Sequence, residues 1–322
     1  KTEAGREVFL RLVAGAQVVV ENFRPGVMDR LRLGFETLKE VNPQLIYCAI
    51  SGFGQDGPLR DLPAYDQIIQ GMSGTMSITG DPDTAPYRVG YPVCDTIGGL
   101  TAAMAVSAAL AGGPERPATF IDVSMLEATL ATMGWVVSNW LVAGQAPAPH
   151  GNENVTSAPS GLFQAADGAL NIAANKQEQW EILCRHLGRV DLLDHPDYKT
   201  RERRKEHRTQ LKAALEQTLR SRPAAAWAEE LAALGVPAGP VLTVPEVLDH
   251  PQIAERGMVA DFPHPTKPDA QLRLLRPGLK INGEAPAVER PPPALGQDSD
   301  AILEELGYDA ADIAALKGAG AF

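Results

Sequence analysis

Short apolar runs at residues 16–20, 44–50 and 119–123 are separated by stretches of helical period, and this alternation constrains the chain more than any other feature. An apolar run of about four to eight residues has no polar face to leave in water, so as a strand it must be covered on both sides. Strands alternating with helices meet that demand as a parallel sheet with helices on its faces. The pattern predicts helices over residues 3–13, 35–41, 64–72, 96–111 and 124–143, with a long Gly/Pro-rich loop over 51–63. An α/β fold is therefore expected for the first half.

Composition then shifts. Residues 144–160 are polar and rich in Pro and Gly, as at a domain crossing. Runs at 162–165 and 169–173 flank Asp167-Gly168, a hairpin signal. Helical patterns follow at 176–187, 201–220 and 223–234; the mixed charges of Arg201 to Arg208 read as a solvated helix face. From residue 252 the chain is loop-rich, with a closing helix near 299–306.

The net charge of −11 argues against a nucleic-acid surface, which needs a basic stripe, although a few local arginines can still hold an anion. With 44% hydrophobic and 21% charged residues, disorder is not expected. Cys48, Cys94 and Cys184 form no CxxC pair and read as buried thiols of a reducing compartment. The six histidines lack metal-ligand spacing, so no metal is expected. The first fifteen residues read as an amphipathic charged helix and not a signal peptide. Residues 97–111 are short for a membrane span, and Glu127, Ser138 and Asn139 interrupt 125–143; both read as buried helices.

Four motifs carry candidate chemistry. Gly52, Gly54 and Gly57 follow a strand in a dinucleotide-like spacing, but Pro58 and Pro63 continue the loop where a helix should open, so a turn is the better reading. The segment 21–31, ENFRPGVMDRL, leaves a strand with Arg24 and Arg30, and suits either a phosphate cradle or a surface loop. Asp95 precedes an apolar helix and reads first as its N-cap, a role compatible with a sheltered, ionised nucleophile. Gly98 and Gly99 beside it would admit a ligand or a second backbone. Tyr65 and Asp66 open a helix and could equally be a core aromatic and a first-turn charge. Cys94 has no histidine near it in sequence and reads as a buried thiol.

Taken together, VVVENFRPGVMDRL, ISGFGQDGP, PAYDQIIQGMSGTMSITG, YPVCDTIGGL, FIDVSMLEATL and SAPSGLFQAADGALNIAANKQEQW resemble the class III CoA-transferase family, of CaiB/BaiF type. The resemblance implies a Rossmann-like CoA-binding large domain over residues 1–150, a smaller α+β domain over 155–250, and a return segment over 251–322, with two chains interlocked as a homodimer. It further implies that Asp95 is the nucleophile, that Tyr65 and Asp66 stand beside it, and that Asn22, Phe23, Arg24, Arg30 and Met125 contact CoA. Pro63 occupies a position where some relatives carry a CoA-contacting lysine. Ser160-Gly161 is a candidate for a loop closing over the site. Relatives carry a further strand-helix-strand segment ahead of the point where this chain starts. Acyl-CoA and a carboxylic acid, with arginines suiting a dicarboxylate, are the implied substrates, with no tightly bound cofactor, nucleic acid or membrane, in the cytoplasm. The racemase branch has a histidine where Tyr65 stands, and tyrosine is a poor base for α-proton abstraction, so a transferase is expected over a racemase-like isomerase or a non-catalytic CoA-binding homologue.

Overall fold

The computed structural model describes residues 1–113, 115–264, 267 and 269–321. They form two units, Lys1–Pro149 with the chain from Pro293 onward, and His150–Pro292. Residues 251–292, expected within the return segment, belong to the second unit, and the return begins at Pro293.

In the first unit, α1 (Glu3–Gly15) is opened by Thr2, whose hydroxyl accepts the Gly5 N–H at 3.1 Å. It is followed by β1 (Val18–Glu21), α2 (Val27–Arg30), α3 (Phe35–Val41), β2 (Ile46–Ser51), α4 (Asp66–Met72), α5 (Val93–Ala111), β3 (Thr119–Ser124), α6 (Met125–Thr132) and α7 (Trp135–Ala143). The three strands pair in parallel in the order β1-β2-β3. Side chains alternate across the central strand. Tyr47 and Ala49 pack with Val13 of α1 and Leu38 of α3, whereas Cys48 packs with Ala102 of α5 and Val123. Both faces are thus covered, and three parallel strands end on the same edge of the sheet.

Three expectations need correction here. The helix foreseen over 124–143 is interrupted at Gly134, whose φ of 52° leaves the helical region, and so becomes α6 and α7. α5 begins earlier and runs 19 residues, long and apolar enough by length and composition to cross a membrane. Neither α5 nor α7 is buried as expected. In α5 only Cys94, Gly98 and Ala102 are buried, while Leu100 and Met104 are exposed, as are Trp140, Leu141 and Val142 of α7. The return segment adds helices at Ser299–Glu305 and Ala310–Gly318, the second unforeseen, and Tyr308 between them lies under the Arg11 guanidinium of α1 at 4.4 Å.

The second unit is an antiparallel sheet, β4 (Ser160–Gln164), β5 (Ala169–Ala173) and β6 (Ala238–Pro240), packed with α8 (Gln177–His186), α10 (Arg208–Leu219) and α11 (Ala224–Ala233) around Trp180, Phe163, Leu215 and Leu231. The β4-β5 turn closes at Asp167-Gly168, with the Ala165 N–H donating to the Gly168 carbonyl at 2.8 Å. Ser160 and Gly161 are the first residues of β4, paired with Ala173 and Ile172, and not a free loop. The helix expected over 201–220 breaks at His207 into α9 (Arg201–Glu206) and α10. Arg204 within it is 2% exposed, not solvated: its guanidinium donates to the Ala158 and Tyr198 carbonyls and to Gln177 Oε1. Short helices at Val244–Leu248 and Pro251–Glu255 lead to a further hairpin, β7 (Val259–Pro263) and β8 (Gln271–Leu275), in the stretch that read as loop.

Candidate active site

A parallel sheet gathers the loops after its carboxyl ends along one edge, and in α/β folds that crevice is the usual place for ligands. Here β1 delivers Asn22, Phe23 and Arg24, β2 ends in Ser51 and Gly52, and β3 delivers Met125; all line a cleft of about 220 Å³ together with Arg60, Tyr65 and Asp95. The turn after β1 is held by two bonds. Glu21 Oε2 accepts the Phe23 N–H at 2.7 Å, and Asn22 Nδ2 donates to the Ile50 carbonyl at 2.8 Å. The loop after β2 is fastened likewise: Ser51 Oγ accepts the Gly54 N–H at 3.0 Å, and Asp122 Oδ2 accepts the Gln55 N–H at 2.9 Å. Gly52 is required there, because a side chain would collide with Ala64 Cβ at 2.3 Å. No helix opens at Gly57, so this segment is a cleft wall and not a dinucleotide fingerprint.

Asp95 enters from the amino end of α5. It is the third residue of the helix, not its N-cap; the cap position is Pro92, which has no side-chain donor or acceptor. The capping carboxylate is instead Asp66 of the neighbouring α4, which accepts the Cys94 N–H on Oδ1 at 2.8 Å. Asp95, third in the helix behind a proline that has no N–H, finds no hydrogen-bond donor for its carboxylate among the described residues. Its side chain is exposed, not sheltered as expected, because Gly99 one turn later presents only open space on that side. Partial desolvation and, secondarily, the Asp66 charge raise its carboxyl above the ordinary aspartate value. An N-cap carboxylate would accept helix amides that favour its ionised form; inside the first turn Asp95 has none, and desolvation sets the direction of the shift.

Six of the eight residues singled out from the sequence meet in the cleft: Asn22, Phe23, Arg24, Tyr65, Asp95 and Met125. Tyr65 is 79% exposed and so is no core aromatic. Asp66 lies behind the cleft wall, 8% exposed. Arg30 lines a different depression with Lys1 and Arg6. Gly98 is buried and lets α5 close on Met125, whose Cγ would stand 3.1 Å from any Cβ placed there. Sequence reasoning missed Arg60, Ser51 and Glu21. Arg60 carries a buried Nε with no partner and stands beside the left-handed Gly26 turn, φ 77°, with Nη2 3.9 Å from where a Cβ would lie. Its signal was positional: a lone arginine in the loop after a parallel strand belongs to the crevice, whatever its neighbours are.

A cleft with one unbonded carboxylate, two arginines without ion-pair partners among the described residues and an apolar floor can bind an anionic, partly apolar ligand and present a nucleophile to it. Comparison with known proteins agrees in kind. Residues 1–299 match the family described as CoA-transferase family III. The chain is 39% identical to the acetyl-CoA:oxalate CoA-transferase of Acetobacter aceti, over 95% of this chain and 78% of that one. It is 35% identical to the succinate–glutarate CoA-transferase of Agrobacterium fabrum, over 95% of this chain and 76% of that one. Among solved structures, a CAIB/BAIF family protein from Brucella suis matches with a TM-score of 0.84 and 35% identity, covering 95% of this chain and 79% of that chain.

Proposed function

The chain belongs to CoA-transferase family III and is an enzyme that moves CoA from an acyl-CoA donor to a carboxylic acid acceptor, and we propose that Asp95 carries the CoA between them. The carboxylate of Asp95 attacks the acyl carbonyl of the donor thioester, forming a mixed anhydride and expelling CoA thiolate. The thiolate attacks the aspartyl carbonyl of the anhydride, which gives an aspartyl-CoA thioester and releases the donor acid. The acceptor carboxylate attacks that thioester, again expelling thiolate. Attack of the thiolate on the acceptor's acyl carbonyl then yields the new acyl-CoA and frees Asp95. Each exchange is close to energy-neutral, so the protein's task is to hold the thiolate near the anhydride, where effective molarities of about 10⁵ M or more are attainable.

The observation that carries this reading is the unbonded carboxylate of Asp95 among Arg24, Arg60, Tyr65 and Met125. A raised pKa makes it a stronger nucleophile once ionised. Arg24 and Arg60 hold the CoA phosphates, Arg60 standing in for the basic contact that Pro63 lacks; Asn22 and Phe23 border the pantetheine, and Met125 forms the floor. Arginine forks suit phosphate and dicarboxylate alike, so we propose a small dicarboxylate such as those named for the relatives as acceptor. A homodimer is supported by Leu100, Met104, Trp140 and Leu141, apolar residues that a single chain leaves exposed. We place the enzyme in the cytoplasm with no tightly bound cofactor, in keeping with three free cysteines.

Incubation with succinyl-CoA followed by borohydride or hydroxylamine, with mass spectrometry of the peptides, tests the relay. Modification confined to the peptide containing Asp95 is expected. Turnover with no trappable adduct at that peptide would refute the covalent role.

A further inference from the structure

Gln70 is completely buried in α4, and each of its polar side-chain atoms is engaged. Nε2 donates to Asp66 Oδ2 at 2.6 Å and, more weakly, to the Tyr91 carbonyl at 3.3 Å, while Oε1 accepts the Val89 N–H at 2.7 Å. Residues 88–92 form no helix or strand, and they feed directly into Pro92 and the first turn of α5. One side chain therefore clamps this strap at two points, and through Asp66 it also clamps the Cys94 N–H, next to Asp95. We propose that Gln70 is the positioning residue of the reaction: by fixing the strap and orienting Asp66, it sets where the Asp95 carboxylate stands, without touching substrate. This rests on the covalent role proposed for Asp95.

The chain of bonds has a direction. The Cys94 N–H gives to residue 66, residue 70 gives to residue 66, and the Val89 N–H gives to residue 70. A carboxylate at 66 and an amide at 70 satisfy all three. Asp66→Asn with Gln70→Glu satisfies these three too: the new amide accepts from Cys94 and donates to the new carboxylate, which accepts from Val89; only the weaker 3.3 Å donation to the Tyr91 carbonyl is lost. Either change alone leaves two like groups facing each other in a buried site, which costs more than a missing bond on the surface.

The test measures kcat for transfer from succinyl-CoA, CoA affinity by titration, and the rate of adduct formation at Asp95, in Gln70→Glu, Asp66→Asn and the double variant. Each single change is expected to slow adduct formation about tenfold or more, as misplacement of a reacting group does, with CoA affinity within about twofold. The double variant is expected to return to within about threefold of the unmodified enzyme. Single variants as fast as the unmodified enzyme, losses seen equally in CoA affinity, or a double variant no faster than the slower single would each overturn the inference. Where a single variant does not fold, the double decides alone: a near-normal rate supports the clamp, and a tenfold loss or failure to fold refutes it. If the unmodified enzyme turns over without forming an adduct, the relay itself is wrong and the clamp falls with it; an adduct there with unaffected variants refutes the clamp alone.

Discussion

The second unit and the cleft of the first treat their charged side chains in opposite ways, although elsewhere in the first unit surface ion pairs such as Arg6–Glu3 and Arg11–Glu7 do form. In the second, Glu230 is gripped by Arg222 and by His186 at 2.9 Å, and Arg222, followed by His186, pulls its carboxyl down to about 2. Arg204 there spends its guanidinium on three acceptors and covers the Trp180 ring at 5.1 Å. In the first unit, Asp95 has no donor among the described residues and its carboxyl is raised, and Glu21 is raised as well by burial. Arg24 and Arg60 form no ion pair among the described residues, and Arg60 Nε is buried without a partner. A unit that neutralises its own charges uses them for stability. A cleft that leaves them open, at a cost, is a candidate binding site.

That contrast can be broken by measurement, and the largest effect should come from Asp95. Replacement by Asn is expected to lower kcat at least about 10³-fold, as loss of a covalent nucleophile does, while CoA still binds. Because the folded protein disfavours the ionised form of Asp95, the same variant should also melt slightly higher at neutral pH. A variant that melts lower would show that the open carboxylate is not under strain. Next in size is Arg204→Ala, which orphans the buried Ala158 and Tyr198 carbonyls and uncovers the Trp180 face. It should cost about 3 kcal/mol in denaturant unfolding.

Arg60→Ala gives the converse result on the contrast's other side: stability changes by less than about 0.5 kcal/mol, and the KM for acyl-CoA rises about tenfold through loss of a charge-assisted phosphate contact. Equal stability losses at Arg60 and Arg204 would erase the distinction between the units. The smallest effect is a pH dependence. The depressed carboxyl of Glu230 adds stability that is present above its ordinary value of 4.5 and disappears as pH falls from 4.5 through about 2. Glu230→Gln should flatten the acid limb of the stability curve in that window, though only modestly, since the side chain is partly exposed to solvent.

Legibility from sequence followed the range of the interactions. The strands at 46–51 and 119–124 and the hairpin at Asp167-Gly168 could be read because apolar runs and turn residues act over a few neighbours. The β7-β8 hairpin was not legible, since its partly exposed strands lack a continuous apolar run. The break at His207 and the burial of Arg204 were hidden because an arginine within a charged run looks solvated until its acceptors, 46 residues distant at Ala158, arrive by folding. The site divides in the same way. Asn22, Phe23, Arg24, Asp95 and Met125 were named through a resemblance carried by ordered motifs, while Arg60 offered only its position in the loop after a strand, and Gln70, inside one of those motifs, gave no signal of its own.

Sequence alone determined the alternation of strands and helices and the family, and it singled out the carboxylate we propose as the carrier, because periodicity and motif order are properties of the chain. Tertiary structure alone decided which residue caps α5. The Cys94 N–H is taken by Asp66, 28 positions before it, while Asp95 stands third in the helix behind Pro92, which has no N–H to give, and so stays unbonded. A cap supplied from so far along the chain exists only once folding has brought the two groups together.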